Sequence, residues 1–140
     1  MAVQMPDNFG APSHVALFDT ARSDRWLNRL AALVRAHPVA PLAHYHHWLA
    51  PHAATLDVWR TTYVQALKAR ADGEHPVVAW NRGAALTPFL AALAPEECAE
   101  FVADYAARVT PAYPAGADGV TLFAFSRVFI VARRSGHLTT

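Results

Sequence analysis

Residues 119–134, GVTLFAFSRVFIVARR, restrict the fold more than any other segment of the chain. Read with the two-residue period of a strand, they place Val120, Leu122, Ala124, Val128, Ile130 and Ala132 on one face. Phe123, Phe125, Phe129 and Val131 fall on the other. A strand that is apolar on both faces belongs in the middle of a sheet, because only there are both faces covered. Ser126-Arg127 interrupts the run and marks a bend or bulge.

Two other segments can flank it. Ala2-Val3-Gln4-Met5 reads as a short strand that runs at once into the turn cluster Pro6-Asp7-Asn8-Phe9-Gly10. Thr55 to Gln65 (TLDVWRTTYVQ) is rich in β-branched and aromatic residues. Alternation puts Leu56, Val58, Arg60, Thr62 and Val64 on one face, with Asp57, Trp59, Thr61 and Tyr63 on the other. Polar groups on both faces suit a strand near a sheet edge.

The segments between follow a helical period. Leu27, Leu30, Ala31 and Val34 form one apolar stripe within a helical region from Ser13 to Ala36, with Ser23 or Asp24 as a cap for its second piece. His37-Pro38-Val39-Ala40-Pro41 breaks it, since proline lacks an amide proton and disfavours helix in the residue before it. A short helix then turns Leu42, Tyr45 and Leu49 inward and stops at Pro51. Lys68 to Glu74 is a solvated turn, and from His75 the helical period returns with Leu86, Phe89, Leu90 and Leu93. Pro95 opens the next helix, with Glu96 and Glu97 at its positive end and Phe101, Val102, Tyr105 and Val109 as its buried line. Pro111 and Pro114 close it, and the tail from Ser135 is expected to fray. Strand, helices, strand, helices, strand is the order of an α/β layer.

Composition excludes several classes. At 54% hydrophobic and 16% charged residues the chain is a folded one, and 140 residues are enough to bury a core. A net charge of +1 with no basic block longer than Arg133-Arg134 gives neither a nucleic-acid footprint nor a polybasic membrane anchor. No run approaches the roughly 20 apolar residues of a membrane span. Cys98 is the single cysteine, so no internal disulfide forms and a reducing, cytoplasmic setting is expected.

Candidate sites are few. His44, His46, His47 and His52 cluster, and His44 and His47 share a helix face, but a zinc site needs three or four ligands and no spaced partner is present. No metal site is therefore expected. No phosphate loop, dinucleotide loop or nucleophile elbow occurs, and Cys98 sits in a helical stripe as a structural thiol. Asp7 and Asn8 lie at the carboxyl end of the first strand, where open α/β sheets bind ligands, and equally where ordinary turn chemistry places Asp and Asn. Trp80-Asn81-Arg82-Gly83 joins an aromatic plate, an amide and a guanidinium that can fork onto a carboxylate; a helix end with a solvated arginine has the same residues. The aromatics of the Trp59 to Tyr63 strand divide in the same way between ligand and packing roles.

Four ordered segments resemble one family. Ala2 to Asn8 (AVQMPDN), Asp57 to Tyr63 (DVWRTTY), Trp80 to Pro88 (WNRGAALTP) and Phe125 to Arg134 (FSRVFIVARR) look like the C-terminal half of the trans-aconitate 2-methyltransferase family, in the same order and at similar spacings. Tyr45 and Leu49-Ala50-Pro51 resemble the segment before that family's sixth strand. The chain departs at Val64-Gln65, where the family commonly has Tyr-His, and at Thr87, where it commonly has arginine.

The resemblance implies a class I, Rossmann-like methyltransferase that transfers a methyl group from S-adenosylmethionine to a carboxylate of trans-aconitate. It implies that this chain is a single partial domain over residues 1–140. Its three strands would be the fifth, sixth and seventh of the family sheet, in the order 5-7-6 with the last one central and antiparallel. Helices over about 75–114 would cap the site. The glycine-rich loop and the acidic residue that bind S-adenosylmethionine have no counterpart, so no cofactor-binding and no catalytic residue is expected here. The start within a strand then reads as a cut, and a missing N-terminal half as a partner. The resemblance points to Trp80, Arg82, Asp7, Asn8 and Tyr63 as substrate-binding residues for a small carboxylate. The competing reading is a non-catalytic carboxylate-binding or interaction module built on the same fold; a histidine metalloprotein is the third.

Overall fold

β3 (Val120–Arg133) takes the middle of a three-stranded sheet in the order β1-β3-β2, between β1 (Ala2–Pro6) and β2 (Thr55–Lys68). The computed structural model describes residues 1–35 and 38–134, so the expectations for Ala36, His37 and the tail from Ser135 lie outside the described residues. β1 runs antiparallel to β3, with Ala2 opposite Val131 and Pro6 opposite Arg127. β2 is antiparallel to β3 as well: the Ala54 N–H donates to the Arg133 carbonyl (2.7 Å) at one end and the Ala69 N–H to the Gly119 carbonyl (3.3 Å) at the other. The order and direction expected from the sequence, with the last strand central, are those observed.

One detail of the sheet differs from the sequence reading: β3 is not buried evenly on both faces. Thr121 and Phe123 are buried in its first part, Val128 and Ile130 in its second, and Leu122 and Ala124 are exposed. Buried parity changes across Ser126-Arg127, because each part is covered on one face only.

The chain divides into two compact units. The first holds the described residues of Met1–Asn8, His37–Tyr63 and Ala124–Thr140. Its helix, α3 (Leu42–Leu49), half-buries Leu42, Tyr45 and Leu49, as the sequence predicts, and the Tyr45 hydroxyl reaches Met5 Sδ at 3.6 Å. The histidines of this segment are exposed. On the opposite face Trp59 lies flat on Phe129, with ring centroids 5.2 Å apart and an interplanar angle of 11°.

The second unit spans Phe9–Ala36 and Val64–Phe123 and carries most of the buried apolar side chains. Its helices are α1 (Pro12–Ala21), α2 (Leu27–Leu30), α4 (Pro76–Arg82), α5 (Thr87–Leu90) and α6 (Pro95–Val109). α6 buries Phe101, Val102, Tyr105 and Val109, the line read from its period, against α1 and α4. Pro95 begins it, and the Glu97 carboxylate turns back to accept the Ala94 N–H at 2.9 Å. That bond and the Arg29 guanidinium hold the Glu97 carboxyl below its ordinary pKa, the Arg29 contact being the larger cause.

The Leu27 stripe is shorter than its spacing implies. α2 ends at Leu30, Leu27 is exposed, and Trp26 is the buried residue, donating its indole N–H to Asp104 (2.8 Å). Ser23 caps nothing with its side chain; its hydroxyl donates to the Thr20 carbonyl, and its own carbonyl accepts the N–H groups of Trp26 and Leu27. Cys98 is half-buried, its thiol 3.4 Å from the Leu90 carbonyl. Among the described residues no helix is long and apolar enough to cross a membrane.

Candidate functional site

In the first unit all three strands converge at the carboxyl end of β1. Asp7, one residue past the strand, donates its backbone N–H to the Ser126 carbonyl at 2.9 Å. Asn8 continues that pairing with its side chain: Nδ2 donates to the Ser126 carbonyl (3.2 Å), and Oδ1 accepts the Ser126 N–H (2.6 Å). An amide that offers one donor and one acceptor mimics a further strand residue, and Asn8, only 4% exposed, is used this way. Asn8 therefore fixes the floor beside Ser126.

Asp7 meets Arg60. Its Oδ2 accepts from Nε at 2.8 Å and lies 2.6 Å from Nη2, an ion pair between the end of β1 and the middle of β2. Two residues on, Thr62 Oγ1 and Ser126 Oγ share a hydrogen bond of 2.8 Å. Tyr63, next in β2, is exposed. The sequence singled out Asp7, Asn8 and Tyr63 but not Arg60, Thr62 or Ser126. Two signals pointed to them: an arginine and a threonine on one face of an edge strand, and a serine interrupting an apolar run.

In the second unit Trp80 and Arg82 lie on α4. The helix is started by His75, whose Nδ1 accepts the Val77 N–H (3.3 Å), leaving Nε2 as the protonated nitrogen that meets the Tyr113 carbonyl at 3.0 Å. Asn81 anchors the inner face, donating from Nδ2 to the Val77 carbonyl (3.0 Å) and to the Tyr105 hydroxyl (2.9 Å). With Asn81 turned in, its neighbours turn out. Trp80 is 41% exposed and rests against Phe123 with centroids 5.8 Å apart. Arg82 donates to Glu74 Oε1 from Nε (2.7 Å) and lies 2.6 Å from it at Nη2. Thr87 donates its hydroxyl to the Arg82 carbonyl at 3.1 Å.

Among the described residues no three His, Cys, Asp or Glu side chains are gathered to hold a metal ion.

No protein-family model matches the chain. The α/β arrangement with an antiparallel sheet in the order β1-β3-β2 agrees with part of a methyltransferase fold, and the curated relatives of the chain are methyltransferases. It resembles the trans-aconitate 2-methyltransferases in particular. It is 44% identical over 136 residues to the one from Methylobacterium nodulans, covering 96% of this chain and 51% of that protein. The enzymes of Azoarcus sp. (41% over 134 residues, 96% and 51%) and Mycolicibacterium gilvum (42% over 135 residues, 95% and 51%) give the same picture. The chain spans about half the length of the curated relatives it matches.

Proposed function

We propose that this chain is the C-terminal, substrate-side portion of a trans-aconitate 2-methyltransferase-like enzyme that transfers a methyl group from S-adenosylmethionine to a substrate carboxylate. The observation that carries the reading is an identity of 41–44% maintained over nearly the whole chain and half of each relative. The residues form one partial domain, with the helices over about 75–114 as its cap. The other half, as an upstream segment or a second polypeptide, holds the methyl donor. A cytoplasmic setting agrees with the free thiol of Cys98.

The chemistry asks little of these residues beyond placement. A carboxylate is ionised at neutral pH, with an ordinary pKa of about 4, so no general base is needed. Desolvation and in-line positioning of one carboxylate oxygen supply the rate. The substrate-binding residues that the resemblance points to are, in the second unit, Arg82 with its carboxylate-gripping fork and Trp80 with its apolar plate, and, in the first, Asp7, Asn8 and Tyr63. Thr87 stands where an arginine is common in the family, so a carboxylate ligand other than trans-aconitate is the nearest variant of this reading.

The test pairs this chain with the half of the Methylobacterium nodulans relative that it does not match. Co-purified, the two are expected to form a methyl ester of trans-aconitate, while this chain alone forms none and binds no S-adenosylmethionine in calorimetry. A stable pair that makes no ester from any small carboxylate, with trans-aconitate still bound by this chain, would establish the non-catalytic binding module instead.

A further inference from the structure

We propose that Arg60 is the carboxylate anchor of this chain, presented by Asp7 and flanked by the hydroxyl pair of Thr62 and Ser126. The proposal rests on the reading of the ligand as a small carboxylate and adds a binding site to it. Asp7 takes Nε and Nη2 of the guanidinium through a single oxygen. An arginine carries five N–H donors on two usable edges, so the edge formed by Nη1 and the outer hydrogen of Nη2 is left over. The exposures agree: the Asp7 side chain is 19% exposed and that of Arg60 47%, so the carboxylate is the more buried partner and the arginine reaches water. This is a preformed fork, already aimed before a ligand arrives.

The hydroxyl pair extends it. Two hydroxyl groups that share one hydrogen bond keep one proton to donate, and both Thr62 Oγ1 and Ser126 Oγ lie on the exposed surface. Ser126 is held on its backbone by Asn8 and by Asp7, so the strand position that carries its hydroxyl is fixed. Arg60 and Thr62 share one face of β2, two residues apart, and β3 brings Ser126 against them. A planar dicarboxylate or tricarboxylate matches this set, with one carboxylate on the fork and a second oxygen within reach of the free hydroxyl proton. Rigid preorganisation of this kind raises affinity by lowering the ordering cost of binding.

The test is calorimetry of the full chain with trans-aconitate, comparing wild type with Arg60→Lys and with the double variant Thr62→Val/Ser126→Ala. Lysine keeps the charge and the Asp7 pair but loses the second edge, so affinity is expected to fall about tenfold to a hundredfold with no change in melting temperature beyond a few degrees. The hydroxyl variant, which leaves the ion pair intact, is expected to lose about twofold to tenfold. Equal affinity for wild type and both variants overturns the proposal and leaves the methyltransferase reading standing. No binding of trans-aconitate, succinate or malonate by the wild-type chain overturns it as well. Loss of binding in Arg60→Lys together with no ester from the paired halves keeps the anchor and removes the methyltransferase reading.

Discussion

The inner side of α4 allows a quantitative test of how the chain orients its outward residues. Asn81 is 3% exposed and divides its two amide protons between the Val77 carbonyl and the Tyr105 hydroxyl, and Tyr105 is fully buried, with burial pushing its hydroxyl pKa up. Tyr105→Phe removes the acceptor and strands one buried N–H, at a cost of about 1–3 kcal/mol. Asn81→Ala strands the tyrosine hydroxyl and adds a small cavity. The cavity occurs in both Asn81→Ala and the double variant, so it cancels in a double-mutant cycle. The double variant leaves neither group stranded and is expected to be more stable than the sum of the singles by about 2 kcal/mol. Urea unfolding followed by circular dichroism measures all four corners. In thermal unfolding each single variant is expected to lose about 3–9 °C for a domain of this size. Strict additivity would refute the reasoning, because it would mean that the two side chains do not depend on each other.

Three further outcomes follow from the same structure. His14 lies between Phe9 and Phe18 at centroid distances of 5.4 and 6.1 Å, and burial lowers its pKa below the ordinary imidazole value. The unfolded chain therefore binds the proton more tightly, and stability is expected to fall as pH drops below about 6.5, an effect that His14→Gln removes; Glu97, also lowered, adds a separate loss below about 4.5. Gly119 has a φ of +73°, so Gly119→Ala is expected to cost about 1 kcal/mol in chemical unfolding, whereas Gly83→Ala, at a φ of −78° with open space around it, is neutral or slightly stabilising. β1 is paired on one edge only and leaves Val3 40% exposed, so light scattering is expected to show self-association that rises with concentration and is reduced by Val3→Lys.

The sheet and the helix faces differed in how far they could be read from the sequence. Residues 119–134 marked a central strand because apolar side chains fall at both parities of the alternation, and the Phe101 to Val109 line marked α6 because its period was regular. Alternation, however, names two faces without saying which is covered, so the change in buried parity across Ser126-Arg127 was invisible. Leu27 failed for a related reason: Trp26 has a larger apolar surface and found a partner for its N–H in Asp104, and the helix turned to bury it. The Asp7–Arg60 pair depends on the register of β1 and β2 on either side of β3, and register is a property of three distant segments together. Trp80 and Arg82 could be named as candidates because one short motif carries them; the Asp7–Arg60 pair could not, because its two members lie 53 residues apart.

The central place of β3 also orders events in time. β1 and β2 are not strand neighbours; each finds its backbone partners on β3, and β1 joins it with Ala2 opposite Val131. The ribosome releases β1 and β2 before the strand that pairs with both, so the β1-β3-β2 arrangement cannot form until β3 has emerged. Pairing of such distant segments slows folding, since the loop must close before any contact rewards it. The main helix pairing of the second unit, α1 with α6, joins segments just as distant, so it too waits for the later part of the chain. The speed of translation between β2 and β3 sets how long their unpaired edges stay open.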